Sequence, residues 1–182
     1  MSGEEGRPLR LFFALWPDEA TQGQFDRAGQ ILHRACGGKR TRRENIHLTL
    51  VFLGDVPTER VAAVRAIAQS LAIPAFDLNF DRLGWWRRNQ IGWSAPSDAP
   101  KPLFDLVSGL QGGLAAADFK VEDRPYLPHL TLLRRAHCRD SHFDAEAIVW
   151  PVREFVLVSS TLSENGSAYE IIGRWKLACV GD

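Results

Sequence analysis

The chain has 182 residues, 45% of them apolar, with six Trp and ten Phe. That is enough to build one sizeable core, and it excludes a disordered chain. Its 22 basic and 22 acidic residues cancel, which excludes a general attraction to nucleic acid or to an anionic membrane, so any anion site must be local. The three cysteines, Cys36, Cys138 and Cys179, are odd in number, widely spaced and without a CxxC; they argue against a disulfide framework and a structural zinc site, and for a reducing compartment.

The polar opening MSGEEGRPLR is followed by a short apolar run, LFFALW, too brief for a signal-peptide core or a membrane span, so a soluble cytoplasmic protein is expected. Leu9 to Trp16 reads as a strand. Pro17-Asp18-Glu19-Ala20 then starts a helix, with a proline in the first turn and acids at the positive end of the dipole, that runs to about Cys36 before Gly37-Gly38. Lys39 to Arg43 is a basic loop, Ile46 to Leu53 a strand, and Gly54-Asp55 a turn. Thr58 is placed to cap a helix whose apolar positions Val61, Val64, Ile67, Ala68 and Leu71 follow helical spacing.

Phe76, Leu78 and Phe80 alternate with polar residues as in a half-buried strand, which pairs with Gln90 to Ala95 across Trp86-Arg87-Arg88-Asn89. Pro100 to Ala117 has helical period, Tyr126 to Leu133 reads as a strand and Asp140 to Trp150 as a short helix. Glu154 to Leu162 and Ala168 to Ala178 close the chain as two strands joined by the turn Glu164-Asn165-Gly166. No linker-like composition divides residues 1–182, so one α+β unit is expected.

Two of these strands carry the same tetrapeptide, His-Leu-Thr-Leu, at His47 and again at His129. Strand alternation puts His47 with Thr49, and His129 with Thr131, on one face, and sends the leucines to the other. A lone histidine in an apolar strand is usually a satisfied core or rim residue. Recurrence of a given tetrapeptide in a chain this long has a chance on the order of one in several hundred, which favours a duplicated unit. The separation of 82 positions (129 − 47), close to half the chain, and the echo of strand, helix and His strand in each half agree with this. Two facing imidazoles can take a proton from an attacking oxygen and give one to a leaving oxygen, because imidazole titrates near neutral pH. Threonine hydroxyls can donate to non-bridging phosphate oxygens. Two histidines without a carboxylate or cysteine at ligand spacing make a poor metal site, and no GxSxG, Walker loop or GxGxxG is present, so no metal or cofactor is expected.

With "RLFFAL" at Arg10, "ENIHLTLVFLGDV" at Glu44 and "RPYLPHLTLLRR" at Arg124, the chain resembles the two-histidine phosphoesterases, and within them the RNA 2′,3′-cyclic phosphodiesterases of the 2′-5′ RNA ligase family. The resemblance implies a bilobal α+β fold, with two antiparallel sheets related by a pseudo-twofold, helices outside and a central cleft. It also implies metal-independent opening of an RNA terminal 2′,3′-cyclic phosphate to a 2′-phosphomonoester, with weak reverse 2′-5′ ligation; separately, a monomer is expected. His47 would then be the general acid, His129 the general base, and Thr49, Thr131 and Arg134 the phosphate contacts. Arg134, five after His129, points away from the cleft in an unbroken strand, whereas Arg135 has cleft parity; Arg134 reaches it only if the strand twists or bulges.

Candidate contacts to RNA 3′ ends are Arg42 and Arg43 in the basic run and Trp86 and Arg87 in the hairpin, against the plain alternatives of a solvated loop and a hairpin rim over a core tryptophan. Phe13 is read as core rather than cleft, and His33, His137 and His142 as structural or surface residues. Two alternatives stay open: a module that binds RNA ends without turnover, and an enzyme for another cyclic phosphate or a 2′-5′ linkage.

Overall fold

The computed structural model describes residues 7–139, 143–144, 146–163 and 166–179. Strands β1 (Leu9–Leu15), β2 (Lys39–Arg40), β3 (Leu48–Val56), β4 (Phe76–Trp86), β5 (Ile91–Pro96), β6 (Leu130–Arg134), β7 (Ile148–Val152), β8 (Glu154–Ser163) and β9 (Gly166–Lys176) are interleaved with three helices: α1 (Glu19–Cys36), α2 (Val61–Gln69) and α3 (Lys101–Ala116). The named strands pair only antiparallel, in the order β7-β4-β5-β6-β3-β1-β8-β9, with β2 added along β6. The two expected sheets are therefore two four-stranded halves of one curled sheet. A single pair, Leu48 opposite Leu130, joins them at the seam between β3 and β6.

The halves share one sequence offset. β1 and β5 begin at Leu9 and Ile91, α1 and α3 at Glu19 and Lys101, β3 and β6 at Leu48 and Leu130, which is 82 residues each time (91 − 9, 101 − 19, 130 − 48). The helices are exchanged across the seam. α1 packs on β5, β6 and β7, whereas α3 packs on β3 and against α2. Phe25 of α1 meets Phe80 and Trp150 edge-on, at centroid distances of 4.9 and 6.1 Å. Leu48, Leu50, Leu130 and Leu132 are all buried on the helix side, which leaves the intervening polar side chains for the other face.

Asp18 starts α1 as its N-cap, its carboxylate accepting from the Thr21 N–H at 2.7 Å; that bond holds the carboxyl below its ordinary value. Several boundaries are corrected. Lys39 and Arg40 form a short strand because β6 supplies its partners, and Arg43–Asn45 is a 3-10 turn. Gly54-Asp55 lies inside β3: Gly54, at φ +74, sits at a register shift against β1 rather than at a turn. Thr58 opens a 3-10 turn ahead of α2. Of the short helix expected over Asp140–Trp150, Asp140 lies outside the described residues, and Ile148 to Trp150 belong to β7 because β4 offers a strand edge there. Met1 to Gly6, His142 and the Glu164-Asn165 part of the last turn also lie outside them.

The cysteine reading is corrected as well. Cys36 and Cys138 form a disulfide, while Cys179 is free and exposed. Sequence separation hid the pair. β2 pairing with β6 brings the end of α1 to the segment after β6, where the His137 N–H donates to the Cys36 carbonyl at 2.9 Å. Among the described residues no helix is long and apolar enough to cross a membrane.

Candidate functional site

Each histidine stands one residue before its strand, at the seam where β3 and β6 run antiparallel. That pairing turns the two polar faces into one surface, and a cleft of about 510 Å³ opens over it, lined by His47, Thr49, His129, Thr131 and Arg134. The two rings are held in the same way. Nδ1 of His47 donates to the Asn45 carbonyl and Nδ1 of His129 to the Leu127 carbonyl, each at 2.8 Å. A carbonyl only accepts, so the neutral rings carry their proton on Nδ1. Nε2 is left as a base when unprotonated and as an acid when charged.

Burial pushes His47 down to about 4, helped by the charges of Arg134 and His129. Burial also lowers His129, with a contribution from Arg124. Their surroundings differ. His47 is enclosed by Phe12, Trp16 and Tyr169, whereas Trp86 meets His129 edge-on at 4.6 Å. The Tyr126 hydroxyl, from the loop before the second motif, donates to the Thr49 carbonyl at 3.0 Å and ties the two motifs together.

Arg134, not Arg135, lines the cleft, and a β-bulge is the reason. Gly92 and Trp93 of β5 pair with Leu133 and Thr131, so Leu132 is an extra residue on β6. Leu132 and Leu133 are both buried, and the alternation then returns Arg134 to the polar side. β3 repeats this. Ala14 and Phe13 pair with Thr49 and Val51, Leu50 is the extra residue, and Phe52, five after His47, comes back to the cleft. Phe52 carries the Arg10 guanidinium over its ring at 5.1 Å, so Arg10 supplies a cation in the half that has phenylalanine in place of Arg134.

Arg42 lines the cleft together with Lys39, Arg40 and Arg10, and no Asp or Glu is among the described residues that do. A neutral chain thus has a locally cationic cleft. Arg40 is also paired with Asp26. Arg43 does not reach the cleft: its guanidinium bonds the Glu19 carbonyl and lies against Gly23, fastening the 3-10 turn to α1. Arg87 lies on the exposed hairpin turn, outside the lining, and Trp86 backs His129 and Trp93. Trp85 is anchored by its indole N–H to the Ala136 carbonyl. Phe13 is fully buried, as expected; its neighbour Phe12 is the cleft residue. Arg10, Phe12, Trp16, Phe52, Tyr126 and Tyr169 are the residues that sequence reasoning missed. Strand parity relative to Phe13 was the one signal available for Phe12, and the partners of the others come from distant strands.

A second, smaller hollow of about 260 Å³ adjoins the cleft and shares Arg42, Asn45 and Tyr169 with it. Asn45 crosses between motif and β9, its amide N–H donating to the Ser167 carbonyl.

Comparison with known proteins agrees with this duplicated geometry. The LigT like Phosphoesterase family matches twice in tandem, at residues 15–93 and 94–169. A protein of Escherichia coli K12 named RNA 2′,3′-cyclic phosphodiesterase is 32% identical over 186 residues, covering 93% of this chain and 97% of that protein. One of the same name from Thermus thermophilus is 28% identical, covering 93% and 90%. Among solved structures, E. coli LigT complexed with 3′-AMP superposes with a TM-score of 0.84 at 31% identity, covering 93% and 98% of the two chains. The same protein complexed with phosphate gives 0.81 at 30%, covering 94% and 99%. Paired histidine motifs on a twofold-repeated, curled sheet and a family match spanning both repeats lead to one conclusion: the chain belongs to the LigT-like phosphoesterases.

Proposed function

We propose that this protein is an RNA 2′,3′-cyclic phosphodiesterase that opens the terminal cyclic phosphate to a 2′-phosphomonoester. The observation that carries the reading is the seam. Leu48 opposite Leu130 sets two imidazoles, each with Nδ1 occupied by a main-chain carbonyl, into one cationic cleft. In the proposed step His129 Nε2 takes a proton from water, the water oxygen bonds to phosphorus, the P–O3′ bond breaks, and His47 Nε2 gives its proton to O3′. His47, the more strongly depressed of the two sites, is the stronger acid once charged, and an anionic phosphate beside it favours that charge. Thr49, Thr131 and Arg134 hold the non-bridging oxygens. Arg42 stands where the cleft meets the second hollow, which supports a path for the RNA body along that side. The enzyme works as a monomer, and the two imidazoles supply the proton transfers without a metal.

The test is purified protein in excess chelator with a nucleoside or oligonucleotide 2′,3′-cyclic phosphate. The parent yields the 2′-phosphate; His47→Ala and His129→Ala each lose on the order of a hundred- to ten-thousand-fold in kcat while keeping the parental circular dichroism. Full activity in either variant refutes the reading. Tight binding of the cyclic phosphate with no product favours the binding module instead.

A further inference from the structure

Trp16 stacks face to face on His47, with ring centroids 4.9 Å apart and planes 3° from parallel. Phe12 lies tilted at 5.1 Å, and Tyr169 meets the ring edge-on at 5.3 Å. With Nδ1 bonded to the Asn45 carbonyl, the imidazole is fixed both along its hydrogen bond and in its plane. Among the described residues His129 has no such stack: Trp86 crosses it at 73°. Eighty-two residues beyond Trp16 stands Asp98, so the stack belongs to one half of the repeat alone.

The charged or titratable groups that face His47 are Arg134 from β6, His129 just before it and Tyr169 from β9; Arg10 and the Lys39–Arg42 segment share the cleft. The cations among them oppose a proton on His47, and no carboxylate among the described lining residues favours one. The Asn45 carbonyl and the surrounding rings, the stacked indole above all, are left to stabilise the imidazolium, because an aromatic face attracts a cation, Trp most strongly, and the attraction grows when water is excluded.

We propose that Trp16 is a positioning residue for His47: its stacked indole sets the plane of the ring and stabilises the protonated form that delivers the proton to O3′. This rests on the assignment of His47 as the acid. It acts through the imidazole and not on the phosphate, so it is expected in kcat and in proton affinity rather than in substrate binding.

The experiment compares the parent, Trp16→Leu and Trp16→Phe. The His47 Hε1 resonance, assigned by its loss in His47→Gln, is titrated by NMR, and kcat and KM for a nucleoside 2′,3′-cyclic phosphate are measured across pH. Trp16→Leu keeps an apolar side chain, though a smaller one, and removes the π face. It is expected to lower the His47 titration midpoint by about 0.4–1.5 pH units and to move the alkaline limb of kcat in the same direction, with KM within about twofold. Trp16→Phe is expected to recover part of both. A Trp16→Leu protein with the parental midpoint and profile overturns the proposal, as does one whose loss lies in KM. A parent without turnover overturns the phosphodiesterase reading, while the titration still reports on the stack.

Discussion

His47 is neutral at rest because burial and the Arg134 charge oppose its proton, and this has a sign in stability. The unfolded chain takes up a proton near the ordinary value of 6.5, whereas the folded chain refuses it until about 4. The contribution is therefore fully present above 6.5 and is lost as pH falls from 6.5 toward 4. Between pH 7 and 5 the parent is expected to lose up to about 2 kcal/mol more in urea unfolding than His47→Gln, which has no such proton to refuse. Equal losses would show that the ring titrates normally. Arg134 and Arg135 make a second pair of outcomes. Arg134→Ala removes the charged contact to phosphate proposed above and is expected to raise KM by roughly ten- to a hundred-fold, whereas Arg135→Ala leaves KM within about twofold. The reverse result would mean that the bulge does not operate. The His-x-Thr faces were legible because alternation is a local property of extended chain; the choice between Arg134 and Arg135 was not, because one extra residue in β6 reverses parity and is seen only against β5.

The bulges in β3 and β6 do for strands what the motif alone cannot: they return a fifth residue, Phe52 or Arg134, to the face of the histidine. The bulge in β6 is fastened by Thr41, whose N–H donates to the Leu132 carbonyl and whose hydroxyl donates to the Thr131 carbonyl, both at 2.8 Å. The basic run is thus a structural partner of the second motif as well as a lining of the cleft. Gly38 permits the approach. It sits at φ +85, and a Cβ there would lie 2.6 Å from the Arg134 carbonyl oxygen and 2.9 Å from that of Arg135. Gly38→Ala is expected to cost about 1–3 kcal/mol in chemical unfolding and to raise KM for the cyclic phosphate, since β2 and Arg134 must separate. Unchanged stability and KM would show that the contact is slack. The run Lys39 to Arg43 reads as a loop in sequence because two residues of strand have no detectable period, and its role comes from β6.

Exchange of helices across the seam ties the halves together: each repeat supplies the helix that covers the other's sheet. A cleft at a seam joined by one residue pair needs such a tie, since Leu48 opposite Leu130 is a small contact to hold two imidazoles in register. The Cys36–Cys138 disulfide fastens the end of α1 to the segment after β6, closing 102 residues of chain. Reduction, or Cys36→Ser with Cys138→Ser, is expected to lower stability by up to about 4–5 kcal/mol through the freedom returned to the unfolded chain. Turnover at 25 °C should survive, because neither sulfur lines the cleft. A melting temperature indifferent to reductant would show that the bond contributes nothing in solution.

The reactive core of the site is readable in the amino-acid sequence by itself. Strand alternation and a tetrapeptide repeated at 82 residues specify two imidazole-hydroxyl faces, and duplication specifies that they meet. These are periodic, short-range properties of the chain, as are the helix beginning at Asp18 and the hairpin from Phe76 to Ala95. What surrounds the imidazoles is decided only by the tertiary structure. Trp16, Tyr169, Arg10 and the disulfide reach the site or its frame through pairings between strands far apart in sequence, and no local pattern encodes which distant strand a given residue will face. The paired imidazole-hydroxyl faces are written in the motifs, and the proton affinity of each histidine and the cations around it follow from packing.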